Sequence, residues 1–312
     1  MNSNQPDTHL PRNAELIHSG RFSLVYKAEE GGRQYILKQL HPRLAGDTRA
    51  VEQFRKEASF RMDLPGIANV LEYKERDGGH YIIREYVDGV SLKEFIAKYS
   101  GRRWKRFRQH IATGICALAG SIHNAGVVHG DIKPSNILIR RPSLDPEAGP
   151  GLVLIDLGLA WQDTWRPEAD PEHPLPFSMV YAAPELVLNF PGLVNAATDV
   201  YSCGLVIYEL LSGRRPFDHV HPAMLLQLMI ARELQPAREL DKDVFGILRK
   251  ASAKHLFKKP PGRFVPEELG RFLLAAQKER FQSAAELGIE LEKAFFPEAS
   301  SPGWFSRLLK KN

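Results

Sequence analysis

The sequence predicts an α+β fold in two parts, a small antiparallel sheet with one helix and then a mainly helical region. Up to residue 87, short runs of alternating apolar and polar residues are separated by glycine-containing turns, which is typical of a strand meander. After Asp88-Gly89 the apolar period changes from two to 3.6, which indicates helices. A chain of 312 residues is long enough for two packed lobes or domains. Four segments follow, namely a flexible tail, a sheet region, a helical region and a basic tail, at residues 1–13, 14–87, 88–296 and 297–312.

The sheet region is predicted to contain five strands and one helix. Its turns lie at residues 18–21, 29–32 and 77–79, where glycine and polar residues cluster. A helix at 49–63 is expected to end before Pro65-Gly66, because proline cannot continue a helix. The predicted strands lie at residues 16–17, 22–28, 34–40, 70–75 and 80–87.

The helical region also contains one predicted hairpin and one long loop. Ser91 precedes the first helix in the position of an N-cap. Strands at 137–140 and 152–156 are joined by a tip rich in proline and glycine, as in a hairpin. Residues 157–182 contain four prolines and little periodicity, which predicts a long functional loop. The predicted helices lie at residues 91–98, 107–124, 197–212, 222–233, 244–253, 266–277 and 283–296.

The composition and the N-terminus of the chain indicate its compartment. No uncharged apolar run reaches the ~18 residues that a membrane-spanning helix needs. The N-terminus lacks the basic start and the apolar centre of a signal peptide. Cys116 and Cys203 lie in apolar helical patterns and are expected to be core thiols in a reducing compartment. These features predict a cytoplasmic protein, whose net charge of +5 suits anionic ligands.

The stretch from His129 to Ile139 places a carboxylate, an amine and a carboxamide on a short loop before an apolar strand. The three residues are Asp131, Lys133 and Asn136. An aspartate that accepts a hydroxyl proton, a lysine beside a transferred phosphate and an asparagine on Mg²⁺ form a phosphoryl-transfer loop. The alternative is a polar turn before a buried strand, because Asp, Pro and Asn are common turn residues. The spacing of the three residues, followed at once by a strand, favours the chemical interpretation.

Further motifs surround this loop. Lys38 ends an apolar strand, and Glu57 lies on the first long helix. Asp156-Leu157-Gly158 follows the second strand of the hairpin, and Ala183-Pro184-Glu185 ends the long loop that begins there. The next apolar helix opens with the sequence Thr-Asp-Val-Tyr-Ser-Cys-Gly at residues 198–204.

In their order and spacing, these motifs make residues 14–296 resemble a eukaryotic-type protein kinase, in particular the bacterial Ser/Thr kinases of that family. The resemblance implies a two-lobed protein-kinase-like fold, with a small antiparallel-sheet N-lobe that binds nucleotide and a mainly helical C-lobe that carries the catalytic and substrate-binding groups. It also implies the cofactors ATP and Mg²⁺. The implied reaction is transfer of the ATP γ-phosphate to a serine or threonine of a protein substrate.

The resemblance assigns a role to each matching residue. Asp131 would be the catalytic base, with Lys133 beside it as a second catalytic residue. Asn136 and Asp156 would bind Mg²⁺ through oxygen, as this cation prefers. Lys38 would hold the first two phosphates of ATP, with its ammonium oriented by a carboxylate on the first long helix. The implied nucleotide-binding residues are Gly20, Val25, Lys38, Glu57, Glu85 and Val87.

A structural ion pair is implied in the same way. Arg280 matches the arginine that the family usually pairs with the glutamate of Ala-Pro-Glu, here Glu185. Arg263 competes for this assignment, because residues 255–266 look like an insertion. The sequence leaves the choice between the two arginines open.

Two departures from the family pattern concern nucleotide binding. In the glycine-rich loop Gly20 remains, but His18 and Ser23 replace two other glycines, so nucleotide binding is expected to be weaker. Arg84 stands where the family has its gatekeeper residue beside the adenine pocket, and it is also expected to weaken ATP binding. An arginine there must be paired or bent towards solvent, because an unpaired buried charge is costly.

Two further departures concern the activation segment, residues 156–185. Gly130 replaces an arginine that in the family commonly receives a phosphate from this segment. We therefore expect activity that does not depend on phosphorylation of the segment. The alternative is a phosphate on Thr164 that another cation, Arg166, receives. Phe-Ser-Met at 177–179 replaces a more usual Gly-Thr-Pro, so substrate docking is expected to be unusual.

Two other classes of function compete with an active protein kinase. A pseudokinase that acts as a binding or scaffold module is favoured by the altered glycine-rich loop and by Arg84. A small-molecule kinase also carries a His-Gly-Asp motif, but Lys133, the Ala-Pro-Glu segment and the helix around Asp199 favour a protein substrate. The retention of the residues that the chemistry needs argues against a pseudokinase. These residues are Lys38, Glu57, Asp131, Lys133, Asn136 and Asp156.

Two basic features bear on other partners. The basic run at 101–108 suits an acidic partner or nucleic acid. We favour a solvent-exposed start of the following helix instead, because the sequence has no motif of a nucleic-acid-binding fold. The segment at 304–311 has the composition of a membrane-surface contact, yet it is too short to anchor alone. A disordered or self-docking tail is favoured there. The pattern does not indicate the protein substrate or the oligomeric state.

Overall fold

The computed structural model describes residues 11, 13–145, 149–162, 170, 172 and 175–297. Within that part of the chain the residues form two compact units. The N-terminal unit contains the described residues up to Asp88 together with Asp156–Gly158, and the C-terminal unit contains the remainder. An antiparallel sheet forms the first unit and helices dominate the second, so the predicted α+β class is confirmed. The domain boundaries drawn from the sequence stay predictions.

Among its described residues, the N-terminal unit contains five strands and one α-helix. These are β1 Glu15–Ser19, β2 Ser23–Glu30, β3 Arg33–Leu40, α1 Thr48–Ser59, β4 Val70–Arg76 and β5 Gly79–Glu85. The strands form one antiparallel sheet in the order β1-β2-β3-β5-β4. The central strand is therefore β3, and Lys38 lies near the C-terminal end of this strand.

Helix α1 covers one face of this sheet with its apolar side. Phe54 and Ala58 on the helix pack with Leu40, Val70 and Ile82 on three different strands in a buried cluster. Full burial of an aromatic or aliphatic side chain contributes about 1.5–3 kcal/mol to folding. The cluster therefore fixes the helix against β3, β4 and β5.

The predicted end of this helix at Asp63 is wrong, because α1 ends at Ser59. Phe60 and Met62 beyond it are both buried. Residues two apart share one side in extended backbone, whereas a helix would turn them to opposite sides. Burial of both side chains therefore favours an extended segment before Pro65.

The C-terminal unit contains short strands near its start and α-helices throughout. Its strands are β6 Gly89–Ser91, β7 Val127–Val128, β8 Ile137–Arg140, β9 Leu152–Leu154 and β10 Trp161–Gln162. Its α-helices are α2 Leu92–Lys98, α3 Lys105–Asn124, α4 Pro184–Val187, α5 Ala196–Ser212, α6 Pro222–Ala231, α7 Lys242–Ala251, α8 Pro266–Lys278 and α9 Ala284–Phe295. The sheet order β6-β8-β9 includes the predicted hairpin, and β7 pairs with β10.

Helix α5 is the buried centre of the C-terminal unit, and α3, α7 and α9 pack around it. Val200 and Leu205 on this helix are completely buried. Cys203 on α5 and Cys116 on α3 are buried free thiols, and burial raises the pKa of both. The prediction that both cysteines are core residues is confirmed.

The short elements of this unit were not predicted. Strands β6, β7 and β10 and helix α4 contain two to four residues each, which is too short for a periodic pattern. The predicted cap of α2 is confirmed, since the Ser91 hydroxyl accepts the backbone N–H of Glu94. Capping chemistry is local, so the sequence is sufficient to predict it.

The predicted tails lie almost wholly outside the described residues. Pro11, Asn13 and Pro297 are the exceptions. In the part of the chain that the structure describes, none of the helices has both the length and the apolar character required to cross a membrane.

A buried ion pair joins α4 to the segment between α8 and α9. Arg280 Nη1 lies 2.7 Å from Glu185 Oε1, which also accepts hydrogen bonds from Thr198 and Gln277. Burial raises the pKa of the Glu185 carboxyl, but the Arg280 guanidinium outweighs this and the pKa lies below its usual value. Arg263 is exposed. The competing assignments are thus decided in favour of Arg280.

Replacing Arg280 with methionine should lower the free energy of unfolding by about 3–5 kcal/mol, because it leaves the Glu185 carboxylate buried without its cation. Urea denaturation near neutral pH measures this loss. Arg214→Met is the matched control, since the Arg214–Glu239 pair is exposed and such pairs contribute about 0–1 kcal/mol. Equal losses in the two variants would contradict the account of this pair.

Candidate active site

Four charged side chains form a cluster within the N-terminal unit. Lys38 Nζ on β3 lies 2.6 Å from Glu57 Oε1 on α1 and 2.8 Å from Asp156 Oδ1. Arg84 on β5 donates to the same oxygen of Glu57. Burial lowers the pKa of the Lys38 ammonium, but Asp156 and Glu57 more than offset this and the pKa is raised. The ammonium is therefore charged at neutral pH, as the binding of a phosphate group requires.

Gly158 leaves the room that this cluster needs. A Cβ at this position would lie 2.7 Å from Glu57 Oε2 and 3.2 Å from Asp156 Oδ1. The backbone carbonyl of Gly158 accepts a hydrogen bond from Gln53 on α1. The glycine of the Asp-Leu-Gly motif is thus required by its close approach to the carboxylate on α1.

Arg84 has a partner and does not bend towards solvent. Its side chain is only 7% exposed and pairs with Glu57, whose side chain is 5% exposed. The sequence allowed either a partner or an escape to solvent. It did not identify Glu57 as the partner, because the resemblance already assigned that carboxylate to Lys38. The structure shows that one carboxylate serves both cations.

The predicted glycine-rich loop connects β1 to β2. The N–H of Gly20 donates to the carbonyl of Ser23 at 2.9 Å, and the His18 ring lies beside Gly20. Val25 on β2 is directly opposite Lys38 on β3. Residues that face each other in an antiparallel pair point to the same side of a sheet. The structure therefore brings Val25 to the same face as Lys38, whereas its role in nucleotide binding stays a prediction.

The other two predicted nucleotide-binding residues follow Arg84 along the chain. Glu85 ends β5 with an exposed side chain, and its N–H donates to the carbonyl of Asn69 at 3.3 Å. Val87 is buried. Both residues lie next to the charged cluster in sequence, and their contacts with a nucleotide stay predictions.

The second group of predicted site residues lies between β7 and β8 in the C-terminal unit. Lys133 Nζ lies 2.6 Å from Asp131 Oδ2 and 2.8 Å from Ser178 Oγ. Asn136 Nδ2 donates to the same Asp131 oxygen at 3.1 Å. The other carboxylate oxygen, Oδ1, is buried and has no hydrogen-bond partner among the described residues. Asp131 thus has one oxygen fixed by two donors and one oxygen able to accept a proton.

A buried carboxylate on α5 fixes the backbone of this loop. The backbone N–H groups of His129 and Gly130 donate to Asp199 at 2.7 and 2.9 Å, and His123 Nε2 lies 2.9 Å from Asp199 Oδ2. Burial raises the pKa of the Asp199 carboxyl, but its partners His123, His129 and Gly130 outweigh this and the pKa lies below its usual value. Asp199 is therefore ionised at neutral pH. The loop before Asp131 is held by charge-assisted hydrogen bonds.

Gly130 is required by the backbone at its position. Its φ is +72°, and a Cβ there would lie 2.7 Å from the carbonyl oxygen of Leu159 and 3.1 Å from Nε1 of Trp161. No side chain, an arginine included, is accommodated without movement of this backbone. Thr164 and Arg166 lie outside the described residues. The expected independence from phosphorylation stays a prediction.

The segment before Ala-Pro-Glu is anchored to α5 and α6. Val180 is buried with a φ of +84°, a conformation that is rare for a β-branched residue, and its N–H donates to Met229 Sδ at 3.2 Å. The Tyr181 hydroxyl donates to Glu209, and Ser202 donates to the Tyr181 carbonyl. No pattern in the sequence indicated the contact between Val180 and Met229, because Met229 lies on a helix distant along the chain.

The predicted metal ligands offer oxygen donors of the kind that Mg²⁺ prefers. Asp156 in the N-terminal unit carries a carboxylate that is 38% exposed on its side chain. Asn136 in the C-terminal unit uses its amide nitrogen to bond Asp131, which leaves its amide oxygen as the donor for a cation. The donor chemistry fits a hard divalent cation, and the role of both residues stays a prediction.

Comparison with known families identifies the fold. The family model described as the protein kinase domain matches residues 12–260, which is most of the chain. The chain belongs to the protein kinase family. Its antiparallel N-terminal unit and its helical C-terminal unit correspond to the two lobes of the kinase fold, as the resemblance implied.

Curated bacterial proteins of this kinase family resemble the chain. A probable serine/threonine-protein kinase of Clostridium acetobutylicum is 29% identical over 80% of this chain and 37% of its own length. The serine/threonine-protein kinase PrkC of Bacillus subtilis is 30% identical over 78% of this chain and 37% of its own length. The probable serine/threonine-protein kinase pknA2 of Bifidobacterium longum is 29% identical over 90% of this chain and 38% of its own length. The chain therefore spans well under half the length of these kinases.

Restoring glycine at His18 and Ser23 together should tighten binding of Mg·ATP by about three- to tenfold, because glycine allows the backbone to approach phosphate more closely. Titration calorimetry on the full chain measures the affinity. Arg33→Gly at the exposed start of β3, next to the turn that joins β2 to β3, controls for added flexibility alone. Unchanged or weaker binding in the double variant would show that the loop has its own compensated geometry.

Proposed function

We propose that the chain is a protein kinase that transfers the γ-phosphate of ATP to serine or threonine of a protein, with Mg²⁺ as cofactor. The observation that carries the proposal is the asymmetric environment of Asp131. Its Oδ2 receives Lys133 and Asn136, while its buried Oδ1 lacks a partner among the described residues. A buried acceptor without a partner is costly unless a ligand supplies a donor. The hydroxyl of a substrate is such a donor.

In this proposal Asp131 accepts the hydroxyl proton through Oδ1. The hydroxyl oxygen forms its bond to the γ-phosphorus as the bond from phosphorus to the β-phosphate oxygen breaks. Lys133 contributes positive charge beside the reacting groups, and Lys38 orients the phosphates that precede the transferred one. Bound Mg²⁺ would neutralise charge on the phosphate oxygens, with Asp156 and Asn136 as its protein ligands. Positioning and charge neutralisation account for the catalysis, as in other phosphoryl transfers.

Two observations support serine or threonine as the acceptor. The three bacterial kinases named above are called serine/threonine-protein kinases. Lys133 lies two residues after Asp131 and bridges it to the Ser178 hydroxyl, which ties the base to the segment before Ala-Pro-Glu. This bridge supports the proposal that the segment around Ser178 binds the acceptor beside Asp131.

The pseudokinase alternative receives no support from the charged groups. Lys38 is paired with both Glu57 and Asp156, and Asp131 is oriented by Lys133. A binding module would not need these ionised groups in chemically usable geometry. The small-molecule kinase alternative is opposed by the ordered Ala-Pro-Glu element, which Arg280 fixes through Glu185. We place this activity in the cytoplasm, in accord with the buried free thiols Cys116 and Cys203.

Replacing Asp131 with asparagine should lower kcat by about 10²–10⁴-fold, because the proton acceptor is lost while the shape of the side chain is kept. The assay follows transfer from labelled ATP to a generic protein with and without Mg²⁺, followed by phosphoamino-acid analysis. ATP affinity and the melting temperature should stay near those of the wild type. The matched control is Asp218→Asn, an exposed aspartate paired with Arg215.

Wild-type turnover in Asp131→Asn would remove this residue from the role of base. Absence of transfer in the wild type under all these conditions would favour the pseudokinase. Label found on phosphotyrosine alone would contradict the proposed acceptor.

A further inference from the structure

Two cations share one carboxylate oxygen in the N-terminal unit. Glu57 Oε1 accepts Lys38 Nζ at 2.6 Å and also accepts Arg84 Nη2. Glu57 and Arg84 are 4% and 6% exposed, respectively. Arg84 Nε is buried and has no hydrogen-bond partner within the described residues. The guanidinium therefore has limited compensation for its burial beyond the Glu57 carboxylate.

The position of Arg84 in the sheet explains why its burial matters. Arg84 lies two residues after Ile82 on β5, so both side chains point to the face that α1 covers. Its cross-strand neighbours are Ile36 on β3 and Val70 on β4. An arginine among apolar side chains is stabilised only when a carboxylate reaches it, because an unpaired buried charge is strongly destabilising. Glu57 is the carboxylate that reaches it.

We propose that Arg84 is a positioning residue that fixes Glu57, and with it helix α1, so that Lys38 stays aligned beside Asp156. Lys38 links β3 to the carboxylate and Arg84 links β5 to it, so the helix is held from two strands. If a bound phosphate group attracts the Lys38 ammonium away from Glu57, the Glu57 carboxylate is still paired with Arg84. Movement of α1 away from the sheet would leave Arg84 and Glu57 as separate buried charges.

The consequence for catalysis rests on the proposed function, whereas the consequence for α1 does not. The structural arm of the test is therefore amide hydrogen exchange of the full chain without nucleotide. In Arg84→Met, amides of α1 near Glu57 should exchange about tenfold faster than in the wild type, because local opening then separates Glu57 from one buried cation, Lys38, instead of two. Arg84→Lys, which keeps a charge but loses the planar fork, should give an intermediate rate.

Arg55→Met is the matched control for this arm. Arg55 is on the same helix and pairs with Glu75 on β4 at 2.7 Å, but both side chains are about half exposed. Exposed pairs contribute little, so exchange of α1 in this variant should stay within about threefold of the wild type. Exchange in Arg84→Met that is no faster than in Arg55→Met would overturn the proposal.

The kinetic arm measures kcat and the KM for the protein substrate in the same variants. Arg84→Met should lower kcat about tenfold with little change in that KM, because Lys38 loses alignment while substrate docking is untouched. Arg84→Lys should recover part of the loss, which general destabilisation would not predict. An unchanged kcat in an active wild-type background would overturn the proposal even if α1 became looser. An inactive wild type would contradict the proposed function and would leave the exchange result to decide this inference.

A double variant keeps the proposal falsifiable if Arg84→Met folds poorly. Glu57→Gln leaves Arg84 buried without its carboxylate and should lower the melting temperature. Glu57→Gln combined with Arg84→Met removes that uncompensated charge and should recover part of the loss. A double variant that melts below Glu57→Gln alone would refute the pairing on which the proposal depends.

Discussion

The loop that carries the candidate base Asp131 depends on one buried carboxylate, Asp199 on α5. It accepts the backbone N–H groups of His129 and Gly130, and His123 lies within hydrogen-bond distance of it. Because the contacts from His129 and Gly130 are made by backbone N–H groups, they fix the course of the chain immediately before Asp131 and do not depend on which side chains the loop carries. The most buried helix of the C-terminal unit thus supplies the fixed point for the candidate base.

The same requirement explains the glycine before the base. With a φ of +72° and the Leu159 carbonyl directly beside it, Gly130 adopts a backbone that donates to Asp199 and that a residue with a side chain would not accommodate. The family more often has an arginine here, which supplies a binding group for an activation-segment phosphate. In this chain Asp199 accepts the backbone N–H groups of the loop, and Val180 and Tyr181 attach the segment before Ala-Pro-Glu to α6 and α5.

Three buried carboxylates, Glu185, Glu57 and Asp131, pair with lysine or arginine in different ways, and the differences support the roles proposed for them. Glu185 is fully occupied by Arg280 and serves the fold. Glu57 is occupied twice, by Lys38 and Arg84. Asp131 is paired through Oδ2 alone, and its Oδ1 lacks a partner in the described part of the chain. A free acceptor in a buried place is costly in a resting protein, so its presence favours a ligand that donates to it.

Much of the fold and most of the candidate site were predictable because they depend on local pattern. The change of period after Asp88-Gly89, the N-cap at Ser91 and the spacing of Asp131, Lys133 and Asn136 are all local signals. Features set by distant contacts were not predictable. The partner of Arg84 lies on another element, and the left-handed Val180 depends on Met229.

The end of α1 and the arginine partner of Glu185 could not be predicted from the sequence for a related reason. The early end of α1 follows from the burial of Phe60 and Met62, which helical periodicity does not encode. The choice of Arg280 over Arg263 needed the position of Glu185, because residues 255–266 look like an insertion and either arginine fitted the motif. In the first case the outcome depends on the free energy of exposing apolar side chains to water, and in the second on the free energy of burying a carboxylate without its cation. Both depend on contacts in the folded structure.

The most direct test of this account is single-turnover phosphoryl transfer by Asp199→Asn, with ATP affinity and the melting temperature measured on the same preparation. Asparagine keeps the shape but replaces one acceptor oxygen with a donor, so one backbone N–H of the loop loses its partner. We expect the transfer rate to fall at least about tenfold, or roughly 1.4 kcal/mol of transition-state stabilisation, with ATP affinity unchanged because Lys38 and Glu57 lie in the other unit. A folded Asp199→Asn protein with the wild-type transfer rate would contradict the claim that this carboxylate organises the catalytic loop.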